Sequence, residues 1–286
     1  MADSKLTALS EITAPALTDI MYLVATPGGT PAEKKLELTN LLKLINVDGW
    51  IPAGETWVYA SADDPTFTFT IAGVDLTTKY YPGMRLKLTQ TTPKYFIVTK
   101  VAFSTNTTVT VYGGTDYDLA DAAITLPYYS TAKAPAGFPL DPLKWMVEVK
   151  DTTDATQATP SANTWYNLGT VTISIPIGVW NVGYWATLYI ADTNVIRASA
   201  QITLSTANDS ESDNDFTGRL SINTDDVSGI VIAISAIQTK TKYLALTAKT
   251  AYYLNALSET ATADSIYFLG SSTYGTTIVR AVCAYL

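Results

Sequence analysis

The stretch "WNVGYWATLYI" (Trp180–Ile190) decides how this chain is read. Trp180, Val182, Tyr184, Ala186, Leu188 and Ile190 recur at every second position, and a period of two puts them on one face of an extended strand. The opposite face carries Trp185 and Tyr189, so it too is rich in apolar surface. "VTISI" (Val171–Ile175) and the turn "PIG" precede it. Further strand candidates follow at Ala198–Leu204, Phe216–Ile222, Ile230–Ile234, Tyr243–Leu246, Tyr252–Leu257, Ile266–Leu269 and Thr277–Leu286. Roughly eight to nine short strands at this spacing predict a jelly-roll-like β-sandwich over residues 164–286. The last strand reads as running to the final residue, tied into a sheet or an oligomer interface.

The same alternation continues upstream. In "FTFTI" (Phe67–Ile71) the apolar residues share one face and the threonines the other, and "MRLKL" (Met84–Leu88) repeats the pattern. "YFIVTKVAF" (Tyr95–Phe103) and "VTVY" (Val109–Tyr112) read as a hairpin across the five-residue loop "STNTT". "KWMVEV" (Lys144–Val149) closes a central β-barrel or sandwich at residues 49–150. The polar, Thr-rich segment 151–163 reads as a linker. Residues 1–48 form a small strand–helix module: a strand at Asp19–Ala25, another at Lys34–Leu38, and a short helix from the N-cap Thr39 to Ile45. The fold class is therefore all-β with one short helix.

Composition narrows the chemistry. Among 286 residues the net charge is −8, which argues against nucleic acid, a partner that needs clustered Lys and Arg. Hydrophobic residues make up 47% and charged ones 15%, so the chain is not a disordered tail. "MADSKLTALSEI" lacks the apolar core of a signal peptide, and the most apolar run, "GIVIAISAI" (Gly229–Ile237), is too short to span a membrane; synthesis in the cytoplasm without membrane insertion is expected. There is no histidine, which removes Ser-His-Asp and Cys-His catalysis and the usual zinc sites. No phosphate-cradling Gly-Lys-Ser/Thr loop occurs. Two carboxylates would suffice for glycoside hydrolysis, but none of the 26 acidic residues is singled out as a pair. No enzyme activity and no cofactor are expected. Asp209, Glu211, Asp213 and Asp215 alternate in "NDSESDND" (Asn208–Asp215) as calcium ligands can. The glycine and glutamate of an EF-hand loop are missing there, and a solvated loop is the plainer reading. The single cysteine, Cys283, reads as a small buried strand residue. The abundant Tyr and Trp residues raise sugar stacking against core packing, and pattern alone does not separate them.

The N-terminal region carries a resemblance. "KLTALSEITAPALTDIMYLVATPGGTPAEKKLELTNLLKL" (Lys5–Leu44) resembles an N-terminal module of tailed-phage appendage proteins. The matching residues are Leu6, Leu9, Pro15, Ala16 and Asp19 at its opening and Lys34, Lys35, Leu36, Leu38, Asn40, Leu41 and Leu42 at its end. Segments 53–73, 82–101 and 137–145 are similar to a module recurring in phage tail and fibre proteins. The resemblance implies a structural virion-surface protein assembled in the host cytoplasm: a tail fibre, head fibre or receptor-binding spike. Its N-terminus would dock on other virion proteins through Leu36, Leu38, Asn40, Leu41 and Leu42. A C-terminal β head would attach to a host-surface glycan or protein. A capsid decoration (cement or head-fibre) protein is the alternative, and a glycan-cleaving tail spike the third reading; no internal repeat supports the last.

Two apolar faces on one strand need two covers. The terminal segment "TTIVRAVCAYL" repeats this, with Ile278 and Val282 on one side and Val279, Cys283 and Tyr285 on the other. A homotrimer of residues 164–286 is therefore expected, with Trp185, Tyr189, Cys283 and Tyr285 at the subunit interface.

Overall fold

The computed structural model describes residues 20–25, 32–37, 48–168, 171–193, 197–223, 232–271, 273 and 275–286. Two compact units divide between Ile51 and Pro52. In the first, β1 (Ile20–Ala25) and β2 (Ala32–Glu37) pair antiparallel, Leu23 opposite Lys34 and Met21 opposite Leu36. The two expected strands thus form a hairpin. The expected helix at Thr39–Ile45, with Leu38, Asn40, Leu41 and Leu42, lies outside the described residues.

The second unit begins at Pro52, the second residue of the two-residue β3 (Ile51–Pro52). Its first part is an antiparallel sheet of β4 (Val58–Asp63), β5 (Thr66–Ile71), β6 (Arg85–Gln90), β7 (Thr92–Phe103), β8 (Thr107–Tyr112) and β9 (Thr125–Ser130), in the order β9-β6-β7-β8-β5-β4. Phe67, Phe69, Ile71, Leu86, Leu88, Val109 and Val111 are buried in one core, as the alternation requires. An aromatic chain crosses that core. Phe69 of β5 stacks on Trp57 at 4.4 Å, Trp57 meets Tyr80 edge-on at 5.9 Å, and Tyr80 meets Tyr129 of β9 at 5.9 Å. Strands near opposite ends of the sheet are joined this way, so the sheet must curl around its core. The β7–β8 loop is shorter than the spacing suggests. Thr107 pairs with Phe103 and is fully buried, because its hydroxyl donates to the Val74 carbonyl at 2.6 Å and accepts the Leu76 amide at 2.9 Å. Only Ser104–Asn106 turn.

The rest is a two-sheet sandwich built from β10 (Met146–Asp151), β11 (Ala155–Ala158), β12 (Thr164–Tyr166), β13 (Thr172–Ile175), β14 (Gly178–Asp192), β15 (Arg197–Ser205), β16 (Gly218–Asn223), β17 (Ile232–Leu246), β18 (Thr250–Ser258), β19 (Ser265–Leu269) and β20 (Thr277–Cys283). The 15-residue β14 organises the larger sheet. One flank pairs with β17 over its whole length. The other is shared: β20 lies opposite Trp180–Trp185 and β19 opposite Thr187–Ala191. β10 extends β20, and β11 extends β19. In the second sheet β18 holds β12 and β13 on one side and β15, then β16, on the other. All six even-numbered residues from Trp180 to Ile190 are buried between the sheets.

Three sequence expectations change here. The segment read as a linker contains the end of β10 and all of β11, both strands of the larger sheet. β11 looks like a linker because its Thr156 and Ala158 face solvent and only Ala155 is buried. Lys144–Val149 does not close the central sheet, since Met146–Val149 pairs with β20. Residues 232–234 of one expected strand and the run at 243–246 belong to the single strand β17, whose polar middle, "QTKTK" (Gln238–Lys242), suits a solvent-facing edge.

The curled sheet and the sandwich meet at a dense joint. Tyr112 packs edge-on against Trp180 at 4.9 Å, and Phe138 stacks on Trp145 at 5.0 Å. Beside them Arg85, 1% exposed, donates to three carbonyls: Gly83 at 2.8 Å, Lys133 at 3.1 Å and Tyr285 at 2.9 Å. Its guanidinium also lies 4.9 Å from the centre of the Phe138 ring. Gly83 has a φ of +91° and lies under Tyr285, where a Cβ would come within 3.3 Å of the ring. The chain thus leaves β20 after Cys283 and seats Tyr285 on the central sheet, correcting the strand expected through Leu286. Replacing Arg85 with alanine removes three charge-assisted hydrogen bonds and empties a buried site. The expected cost is about 3 kcal/mol in chemical denaturation, with Arg85→Lys recovering only part because an ammonium lacks the planar fork. An unchanged midpoint for Arg85→Ala would refute this role.

Candidate binding face

The outer face of the larger sheet is set by the register of β14. Residues paired across antiparallel strands point to the same side, so three rows follow. Tyr243, Asn181, Val282 and Met146 form the first. Thr241, Gly183, Arg280 and Glu148 form the second, and Thr239, Trp185, Ile278 and Lys150 the third. At the centre stands Gly183, without a side chain. The result is an open recess of about 380 Å³ lined by Asn181, Gly183, Trp185, Thr241, Ile278 and Arg280, among others. Trp185 is 50% exposed and Tyr243 69%. Gly183 also lets β17 approach closely, because a Cβ there would stand 2.6 Å from the Lys240 carbonyl oxygen.

One carboxylate serves two cations beside the recess, which leaves a single net positive charge there. Arg280 donates to the Glu148 carboxylate, and Lys150 reaches the other oxygen at 2.7 Å. Burial pushes the Glu148 carboxyl up, but the hydrogen bonds from Lys150 and Arg280 outweigh it and hold the group below the usual range. Farther along the face Tyr189 meets Tyr267 edge-on at 5.1 Å, and Ile237 is 54% exposed. The smaller sheet differs. There Glu259 accepts from Ser199 at 2.6 Å, and also from Gln201 and Arg219.

The four residues expected at a subunit interface separate. Trp185 and Tyr189 lie on the outer face. Cys283 is on the opposite side of β20, 2% exposed in the sandwich core, where burial pushes its thiol up to about 11. Tyr285 is used at the joint with the central sheet. Alternation placed Cys283 and Tyr285 away from Ile278 and Val282 correctly, but that side is the chain's own interior. Residues 164–286 also lack β10 and β11, so they do not form the whole sandwich.

The acidic loop is committed to structure. Asp213 caps a short 3-10 turn at Asn214–Phe216 and bonds Lys242 at 2.6 Å, while Asp215 reaches the same ammonium at 2.7 Å. Asp209 accepts the Asn167 amide at 2.6 Å, and Glu211 bonds the Thr217 hydroxyl. The loop backbone is held in turn by Asn255, which donates to the Ala207 and Ser210 carbonyls. Among the described residues no group of three or more His, Cys, Asp or Glu side chains is placed to hold a metal ion. The calcium candidate is thereby corrected. Carboxylates at alternate positions converge on an ion where the loop wraps around it, and here Asp213 and Asp215 converge on the Lys242 ammonium instead.

Sequence reasoning did not find Asn181, Gly183, Thr241, Tyr243 or Arg280 as a set. The one available signal was Gly183 itself, a break in the outer-face side chains of the most regular strand.

No family model matches this chain, and no curated protein does. Among solved structures it is similar to dimeric latent PorU from Porphyromonas gingivalis, at 11% identity and a TM-score of 0.32, over 81% of this chain and 24% of that one. It is also similar to a structure of the Gx strain of infectious bursal disease virus, at 11% identity and a TM-score of 0.25, over 81% of this chain and 63% of that one. A mutant VP2 protein of the same virus matches at 13% identity and a TM-score of 0.21, over 92% and 65%. The chain spans about a quarter of the PorU chain and under two thirds of the viral ones. At such scores these likenesses carry no functional argument.

The Lys242 hub makes a pH prediction. The hydrogen bond from Lys242 is the main cause holding Asp213 below the ordinary aspartate range. A carboxyl depressed in the folded state adds stability above its unfolded pKa and loses it as pH falls through the folded one. Lys242→Met should therefore lower stability at neutral pH by less than ~1 kcal/mol, since the pair is partly exposed. The gap to wild type should close below about pH 4. Thermal melts across that range check this, and millimolar calcium should leave the wild-type midpoint unchanged.

Proposed function

We propose that this chain is a non-enzymatic structural protein of a tailed-phage virion, a short trimeric fibre or spike. Its N-terminal unit docks on the particle through the segment holding Leu36, Leu38, Asn40, Leu41 and Leu42. Its sandwich turns the outer face of the larger sheet toward the host surface, which takes Trp185 and Tyr189 out of the subunit interface expected for them. One observation carries the reading: Trp185, Ile237 and Tyr243 stand exposed on one sheet face although both cores are filled without them. Such a face marks an interaction surface more often than it decorates a solitary domain. The N-terminal motif supports the virion assignment, and the β1–β2 hairpin falls where that motif has its strands.

Antibody-gold labelling of intact virions tests the location. Label at the tail tip is the expected result. A regular lattice of label on the head would replace the fibre with a capsid decoration protein, and particles without label would refute the virion reading. Sedimentation of the full chain tests the assembly, where a single species at three times the protomer mass is expected and a monomer at micromolar concentration would exclude the trimer.

A further inference from the structure

The recess over Gly183 has a chemistry of its own. Along β14 it runs from Asn181 to Trp185, two steps of two residues and so about 13 Å, and across three strands it is about 10 Å wide. Trp185 lines it on β14, Ile278 and Val282 border the β20 side, and Tyr243 stands outside the lining at the diagonal position on β17. Between them stand an amide (Asn181), a hydroxyl (Thr241) and the Arg280–Glu148 pair. These are planar or hydroxylic groups that donate and accept hydrogen bonds at fixed positions.

We infer that this recess is a saccharide subsite, taking one pyranose ring of a larger glycan. A pyranose presents an apolar C–H face and a rim of hydroxyls, which matches an exposed indole beside an amide, a hydroxyl and an ion pair. Glu148 is shared by Arg280 and Lys150, so one positive charge remains beside the recess, but a small anion such as phosphate would leave the Trp185 indole uncovered where a sugar ring would stack on it. A purely apolar peptide would cover the polar atoms of Asn181, Arg280 and Glu148 without replacing their hydrogen bonds with water, a costly exchange. An open, shallow shape suits a ring that belongs to a chain continuing beyond the site. The ligand class rests on the reading of this face as the host-contact surface, yet it is tested without virions.

The test uses the full chain and a panel of methyl glycosides of glucose, galactose, mannose, N-acetylglucosamine, rhamnose and glucuronic acid. Saturation-transfer NMR at millimolar ligand reads binding directly. At least one glycoside is expected to bind with its C–H protons closest to the protein. Trp185→Ala should weaken it about tenfold, the loss of ~1.4 kcal/mol. Thr241→Val, which keeps shape and removes the hydroxyl, should weaken it less. Tyr81→Ala, at another exposed aromatic residue, in the connection between β5 and β6, should leave it unchanged. Thermal melts confirm that each variant is folded. No transfer to any glycoside, or equal binding by wild type and Trp185→Ala, would overturn the subsite. Either outcome leaves the gold-labelling result standing, so the two readings fail separately.

Discussion

The rest of the sandwich depends on the register of β14. Fifteen residues long, it places every even-numbered side chain from Trp180 to Ile190 in the core. A slip by one residue would exchange the two faces, driving Asn181, Thr187 and a vacant Gly183 inward. β17 repeats that register along one flank, while β20 and β19 divide the other. Each pairing inherits its alignment from β14, and so does the row arrangement on the outer face. The recess is therefore fixed by the same constraint that fills the core.

Polar groups complete the fold where the sheets end. Tyr184 reaches through the core and donates to the Phe216 carbonyl at 2.8 Å, and burial raises its phenol well above the ordinary value. That bond ties the middle of β14 to the turn before β16. Across the same edge the loop carboxylates gather on Lys242 of β17, on the other sheet. Stability and shape at this margin come from directed bonds more than from additional apolar area, consistent with an exposed edge strand carrying lysines.

Much of this architecture was legible because alternation is a physical consequence of the pleat. The strands at Phe67–Ile71, Ala198–Leu204 and Trp180–Ile190 stand close to where the period placed them. β11 escaped because an edge strand of four residues buries little and reads as polar loop. β17 broke into two because its middle is solvated. The division near residue 150 failed for a related reason: β10 is adjacent in sequence to the curled sheet but finds its partner in β20, more than a hundred residues later. Cys283 and Tyr285 show the limit of face-counting, since alternation says which residues share a side and not what covers it. The recess was harder still. Its members come from β14, β17 and β20, and only the register brings them into one patch.

The buried Arg85 gives the joint between the two β assemblies an unusual indifference to its surroundings. Its partners are the carbonyls of Gly83, Lys133 and Tyr285, none of which titrates. Burial draws its guanidinium below the ordinary arginine value, yet that value lies so far above neutrality that the charge persists through any physiological acidification. Mobile ions screen a charge so deep in the protein far less than they screen the surface pairs. Of its three bonds, the one to the Tyr285 carbonyl crosses the joint. Brine or acid can strip the exterior of its ion pairs while this charged contact between the curled sheet and the chain's last residues keeps both its charge and its acceptor.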